Sequence, residues 1–366
     1  MKEGATVCGP DVSLEPEKPQ DPLLVRCVAP PLVVLAVLGG LGTRRAREAP
    51  SCPGLPSWFE RGVGAVLREV AAQDWLVVGY LLFLLFRVQT GTATEHAPAL
   101  VRLGADLAVL VIALVAVRGG LLPRPLARLV YRGALFVPVL GSFLQLEYIL
   151  PAASRAPMDA RLYAFDIGVF GREPAEVFDA WVSPRTTEWF AFFYYGYFFL
   201  IAAFLFPFLV LGRGRLMRAF GMGFLWVYCA GHAIYTLVPA YGPYAYLPTH
   251  FQHPLEGAFW WPLVQHAVAS VNGAARTDVF PSLHTAVPTF LAAFSFKNRA
   301  VGIFRRTWPV VAFVASQMML ATMFLRWHYV IDVVAGLTLA ASAFGVIRIA
   351  ETWDASRQAN GGQDVW

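Results

Sequence analysis

Apolar residues fall along this chain in long runs separated by short polar or basic stretches. The runs lie near 75–88, 103–117, 133–152, 189–212, 219–239, 282–296, 308–325 and 329–348, with a shorter, marginal one at 27–42. A hydrocarbon core about 30 Å thick needs roughly 20 helical residues to cross it. Backbone amides in lipid must bond within their own segment, which selects helix for each run. Several runs are short by strict count, and flanking residues such as Val66 to Asp74 extend them as helix. The pattern predicts an all-α integral membrane protein, a multi-span helical bundle. Residues 1–26 read as a disordered polar tail and residues 351–366 as a polar tail at the other end, while 27–129 hold additional N-terminal transmembrane segments.

Composition agrees with lipid as the solvent, since 57% of residues are hydrophobic and only 14% charged. The net charge of +5 raises nucleic acid as a partner, but the basic residues sit between apolar runs and form no stripe. Membrane topology explains them, so the expected partner is the membrane and not nucleic acid. Cys8, Cys27, Cys52 and Cys229 are scattered without metal or redox spacing, and no fixed-period repeat is present.

Arginine and lysine orient the bundle, because short cytoplasmic loops are enriched in them. The 213–218 hairpin carries Arg213, Arg215 and Arg218, and the 297–307 hairpin carries Lys297, Arg299, Arg305 and Arg306. Both are predicted to be cytoplasmic. The much longer 240–281 segment contains only Arg276 and belongs on the other side. Alternation then places 118–132 and the C-terminal tail inside and 153–188 outside.

Two polar clusters fall on the predicted outer face. In DVFPSLHTA (Asp278 to Ala286), Ser282 can cap a helix starting after Pro281, which puts His284 in its first turn. Free amides and the positive dipole end there favour an anion such as phosphate. The bland reading of His284 is an interfacial histidine without a task. In FLRWHYVIDVVAG (Phe324 to Gly336), His328 and Asp332 stand at i and i+4 on one helical face. Asp332 can fix the imidazole tautomer while the other nitrogen attacks. A carboxylate among Val, Ile, Ala, Gly and Leu is costly unless paired, although such a pair can also merely staple two helices. Together the clusters offer a nucleophile, His328, an orienting group, Asp332, and a proton donor, His284. Arg326 and Arg276 are candidates to neutralise phosphate oxygens, or else headgroup anchors. His232 reads as a helix-packing histidine, His250, His253 and His266 as solvated loop residues, and the aromatic run WFAFFYYGYFFL at 189–200 as lipid-facing packing.

The spacing of PSLH (Pro281 to His284) and HYVID (His328 to Asp332) resembles the last two signature motifs of the type 2 phosphatidic acid phosphatase superfamily. FPSLHTA, RWHYVIDVVAG, YTLVPAYGPY (Tyr235 to Tyr244) and RLYAFDIGVFG (Arg161 to Gly171) resemble its inositol phosphorylceramide synthase branch and bacterial relatives. The resemblance covers roughly residues 130–350. It implies a six-helix catalytic membrane domain there, a histidine, histidine, aspartate triad at the membrane surface, and neither metal nor cofactor. It also implies Ser282, Tyr241 and Tyr244 as substrate-binding residues. Two departures stand out. No lysine followed by Arg-Pro occurs on the outer face, where Tyr241, Gly242, Pro243 and Tyr244 take that place; and the arginine usual six residues before the third-motif histidine is Thr322 here.

The expected function is therefore a lipid phosphotransferase, moving a phosphate-linked headgroup from a phospholipid donor to a lipid or water acceptor through a phosphohistidine. The expected location is the plasma (inner) membrane, with the site on the extracytoplasmic face. Lipid phosphate hydrolysis is the alternative within the same chemistry. A transporter or lipid-binding protein is the alternative outside it, but would carry ionisable groups near mid-membrane. A metal site built from His284, His328 and Asp332 is a further alternative, against which the resemblance speaks.

Overall fold

The computed structural model describes residues 69–91, 96–153, 156–212, 214–272, 277–359 and 365–366. The 27–42 run, the polar tail before it, and Arg213 and Arg276 lie outside these residues. The described residues form helices α1 (Ala72–Gln89), α2 (Ala97–Arg118), α3 (Arg124–Ala153), α4 (Asp159–Phe170), α5 (Pro174–Asp179), α6 (Pro184–Leu211), α7 (Gly214–Tyr235), α8 (Pro243–Tyr246), α9 (Trp260–Asn272), α10 (Leu283–Lys297), α11 (Gly302–Phe324) and α12 (Val330–Ala359). Among them there is no sheet beyond one isolated bridge between Ala240 and Asp278.

Each predicted run after the first coincides with a helix. Five of them, α2, α3, α6, α11 and α12, are long and apolar enough to cross a membrane. Their outward positions carry large apolar side chains: Val101, Ile112, Val137, Phe206 and Val310 are each more than 60% exposed. Apolar surface on that scale is expected against lipid and not water. The protein is thus an all-helical, membrane-spanning bundle. Helices α7 and α10 lie inside it, with Phe220, Phe224, Leu225, Phe290, Leu291 and Phe294 fully buried in a shared core.

Local sequence explains the helix ends. Ser183 caps α6, its hydroxyl accepting the Thr186 amide at 3.2 Å while Pro184 opens the first turn. Helix α4 ends on Gly171 at φ 76°, a left-handed cap that glycine adopts without penalty. Two helices receive caps from elsewhere in the chain. Glu188 of α6 accepts the amides of Phe259, Trp260 and Trp261 at the start of α9, and Asp166 of α4 accepts those of Val330 and Ile331 at the start of α12.

The N-terminal helices are integral to the bundle. Asp74 of α1 pairs with Arg118 of α2 at 2.6 Å and accepts the Tyr131 hydroxyl of α3, all three buried. Tyr80 of α1 meets Ser142 of α3 at 2.7 Å and His232 of α7 at 3.2 Å, so His232 is a helix-packing residue. The expected boundary between residues 129 and 130 falls inside α3. At the other end, where a polar tail was expected, α12 continues to Ala359, held by Glu351 to Arg215 at 2.7 Å and by the Arg357–Asp354 pair.

Candidate active site

The two polar clusters come together because α10 and α12 cross closely at their starts. A Cβ on Gly336 would stand 2.6 Å from the Ser282 carbonyl and 3.1 Å from Thr285 Cβ, so only glycine admits this approach. The Ser282 amide donates to the Asp332 carbonyl at 3.0 Å, locking the two helix starts in register. Ser282 occupies the expected N-cap position, yet its hydroxyl makes no cap bond and is buried without a partner among the described residues. It does not line the cavity described below, which leaves the expected substrate contact without geometric support.

His328 sits in the short turn between α11 and α12. Its amide and that of Trp327 both donate to the Thr322 carbonyl, and Arg326 takes φ 66° where the chain reverses. Its Nδ1 lies 3.3 Å from Asp332 Oδ2, which also accepts the Tyr329 amide at 2.9 Å. Burial pushes the His328 imidazole down to about 4, opposed by the charge of Asp278. Asp278 is itself pushed up by burial to about 6.

His284 enters from α10, its ring centroid 6.4 Å from that of His328. It is sandwiched between Tyr194 and Tyr197 of α6, each centroid 4.2 Å away with planes at 10° and 34°. These two tyrosines belong to the aromatic run read as lipid-facing. Trp189, Phe192 and Phe199 do face outward, but Tyr194 and Tyr197, three residues apart, turn the other face of α6 onto the site. The run is aromatic on both faces, so its periodicity carried no signal to separate them.

Both histidines line one cavity of about 360 Å³. Its walls come from α3 (Leu140, Phe143, Leu144), α6 (Tyr195, Phe198, Ile201), α7 (Tyr228, Tyr235) and α9 (Val264, Val268). Tyr241 and Tyr244 line it as well. Their loop is docked on the turn that carries His328. The Tyr244 amide donates to the Arg326 carbonyl at 2.7 Å, and a Cβ on Gly242, at φ 84°, would meet the Trp327 carbonyl at 2.3 Å. Asp159 holds that loop from α4 by accepting the Tyr241 and Gly242 amides and the Tyr329 hydroxyl. Neither Asp159 nor Asp166 stands out in sequence, because each acts on backbone amides distant along the chain.

Arg326 does not line the cavity. Its guanidinium donates to Asp179 at 2.7 Å and to the His253 carbonyl, and lies 4.0 Å over the Phe251 ring. Asp179 also accepts the Gln252 amide, and His253 and His250 contact Asp179 and Glu176. His250 and His253 contact α5 while their side chains stay more than 40% exposed, in keeping with solvated residues, and His266 is exposed on α9. Hydrogen bonds from Gln252 and His253, with Arg326 beside it, outweigh burial and hold the Asp179 carboxyl below the usual range. Arg276, the other expected phosphate partner, lies outside the described residues. Among the described lining residues the ionisable groups other than tyrosine are Asp278, His284 and His328. No group of three or more His, Cys, Asp or Glu side chains among the described residues is arranged to hold a metal ion.

A family model described as the PAP2 superfamily matches residues 174–346, the stretch from α5 into α12 that contains both histidine clusters. The match points to phosphatase- or phosphotransferase-type chemistry on lipid phosphates. Helix α3, counted in the expected core of 130–350, precedes the matched region. No curated protein and no solved structure matches the chain.

Proposed function

We propose that the protein is a lipid phosphotransferase of the inositol phosphorylceramide synthase type, with His328 as nucleophile, Asp332 orienting it and His284 as general acid. One observation carries the reading: two histidines from separate helix starts meet at one end of a largely apolar cavity. A phosphoryl group between them would need about 3–3.5 Å to each reacting nitrogen, and a centroid separation of 6.4 Å leaves room for it. In the first step a nitrogen of His328 bonds to phosphorus as the phosphorus–oxygen bond to the leaving group breaks, and the proton on His284 passes to the departing oxygen. In the second step the acceptor hydroxyl gives its proton to the now neutral His284 and its oxygen displaces His328. Apolar walls suit a donor whose chains remain in the bilayer, and exclude water from the phosphohistidine. Helices α3, α6, α7, α10, α11 and α12 would form the six-helix catalytic body. The site lies at the end opposite the basic hairpins, which supports an extracytoplasmic face on the plasma membrane.

Purified protein in bilayers, given phospholipids labelled in the headgroup phosphate, tests this with and without diacylglycerol or ceramide. Label should move to the added lipid. Release of label into water alone would make the protein a lipid phosphate hydrolase, and the absence of both reactions would return it to the transport or lipid-binding class.

A further inference from the structure

The ring of His284 is held by aromatic faces and by no hydrogen bond from a described residue at Nε2, which is buried without a partner. Histidines that move protons are ordinarily oriented by a carboxylate or carbonyl on the second nitrogen. Here that function has to come from elsewhere. Tyr194 stacks nearly parallel to the imidazole, and its own ring leans on Trp327, the residue before His328, at 6.3 Å. Tyr197 covers the other face and is fixed in turn by a 2.9 Å hydrogen bond between its hydroxyl and that of Tyr228 on α7. The clamp therefore links α10, the catalytic turn and α7 through two rings on one face of α6.

We infer that Tyr194 and Tyr197 are positioning residues that fix the plane of His284 and stabilise its protonated form through their π faces. This rests on the proposed role of His284 as the acid. Burial by itself opposes an imidazolium, whereas a cation held against an electron-rich ring face is attracted to it, more strongly when water is excluded. The stabilisation applies only when the ring is charged, which is the state the leaving-group step consumes. A purely structural clamp would depend on ring shape and not on ring electrons.

Replacing Tyr194, and separately Tyr197, by phenylalanine and then by mono-, di- and trifluorinated phenylalanines varies the π face while nearly preserving volume. Two readouts apply to the intact protein in bilayers. In the first, the protonation midpoint of His284, followed by NMR of ring-labelled histidine against a His284→Gln control, should fall with each added fluorine. In the second, the alkaline limb of the rate profile should move to lower pH in step, because the acid loses its proton earlier. The rate at neutral pH should drop about 2- to 30-fold across the series. That loss should be small for a donor with an aryl leaving group that departs without a proton. A midpoint that does not change with fluorination overturns the inference whether or not the protein is active. A falling midpoint with a transfer rate indifferent to His284→Gln would keep the clamp and sink the catalytic reading beneath it.

Discussion

His328 Nδ1 stands 3.3 Å from Asp332 Oδ2 across one helical turn, and the same carboxylate oxygen accepts the Tyr329 amide. That second bond fixes the carboxylate, so the imidazole is oriented by a group that cannot itself swing away. In the proposed reaction the Nδ1 proton points to Asp332, which would leave the Nε2 lone pair for attack. His328→Ala should abolish turnover, and Asp332→Asn should lower kcat by about 10²–10⁴ while leaving lipid binding intact. Near-normal turnover in either variant, measured with labelled phospholipid, would remove the nucleophile assignment.

His284→Ala should behave differently in kind. The attack on phosphorus remains available, so label should accumulate slowly on His328 and be recovered as acid-labile, base-stable phosphohistidine. The rate loss should be about 10²–10⁴ for an alkyl leaving group and much less for an aryl one. Equal losses with both leaving groups would argue that His284 serves something other than protonation.

The helices and the pairing of His328 with Asp332 were legible in sequence because both depend on short-range pattern. Apolar run length marks each span, and Asp332 four residues after His328 puts the pair on one face. What was not legible depends on contacts distant along the chain. Asp159 and Asp166 cap amides more than 80 and 160 residues away, and Tyr194 faces His284 across a helix pair. The partner of Arg326 was not legible for the same reason. A guanidinium two residues before His328 suits phosphate by sequence, while its partner in the fold is Asp179, 147 residues earlier in the chain.

Arg326 and Asp179 are both nearly buried, at 7% and 9% side-chain exposure, so removing one strands the other. Arg326→Ala should lower stability by about 3 kcal/mol and loosen the turn that carries His328. The double variant Arg326→Leu, Asp179→Leu should recover much of that loss. Thermal unfolding in detergent measures both. A raised KM with unchanged stability in Arg326→Ala would instead return this arginine to the phosphate.

Arg215 and Arg218 near the start of α7 and the basic residues of 297–307 lie at the opposite ends of α7, α10 and α11 from the turn that carries His328. Thr249 and Ala300, both exposed, report on the two ends. In intact cells a thiol reagent that cannot cross membranes should label Thr249→Cys and not Ala300→Cys, placing the chemistry on the outer leaflet. The reverse pattern would invert the topology and move the lipid pool that the enzyme uses.

The acidic side of the rate profile tests the charge state of the nucleophile. Only neutral His328 can attack, and burial lowers its affinity for a proton to about 4. The sign is therefore that activity is retained as pH falls through the ordinary histidine range and is lost only near pH 4. Asp278 takes up a proton earlier, at about 6, which removes an anion beside His328 and pushes the imidazole lower still. A phosphodiester donor carries one negative charge throughout, so the substrate adds no limb of its own. The profile of kcat/KM should then stay flat from neutral pH to about 5, and Asp278→Asn should move the remaining limb further down, with circular dichroism checking that the fold persists. An acidic limb at pH 7 or above would mean that an ionised Asp332 holds His328 cationic in the resting enzyme. The nucleophile would then form only as that proton leaves at higher pH.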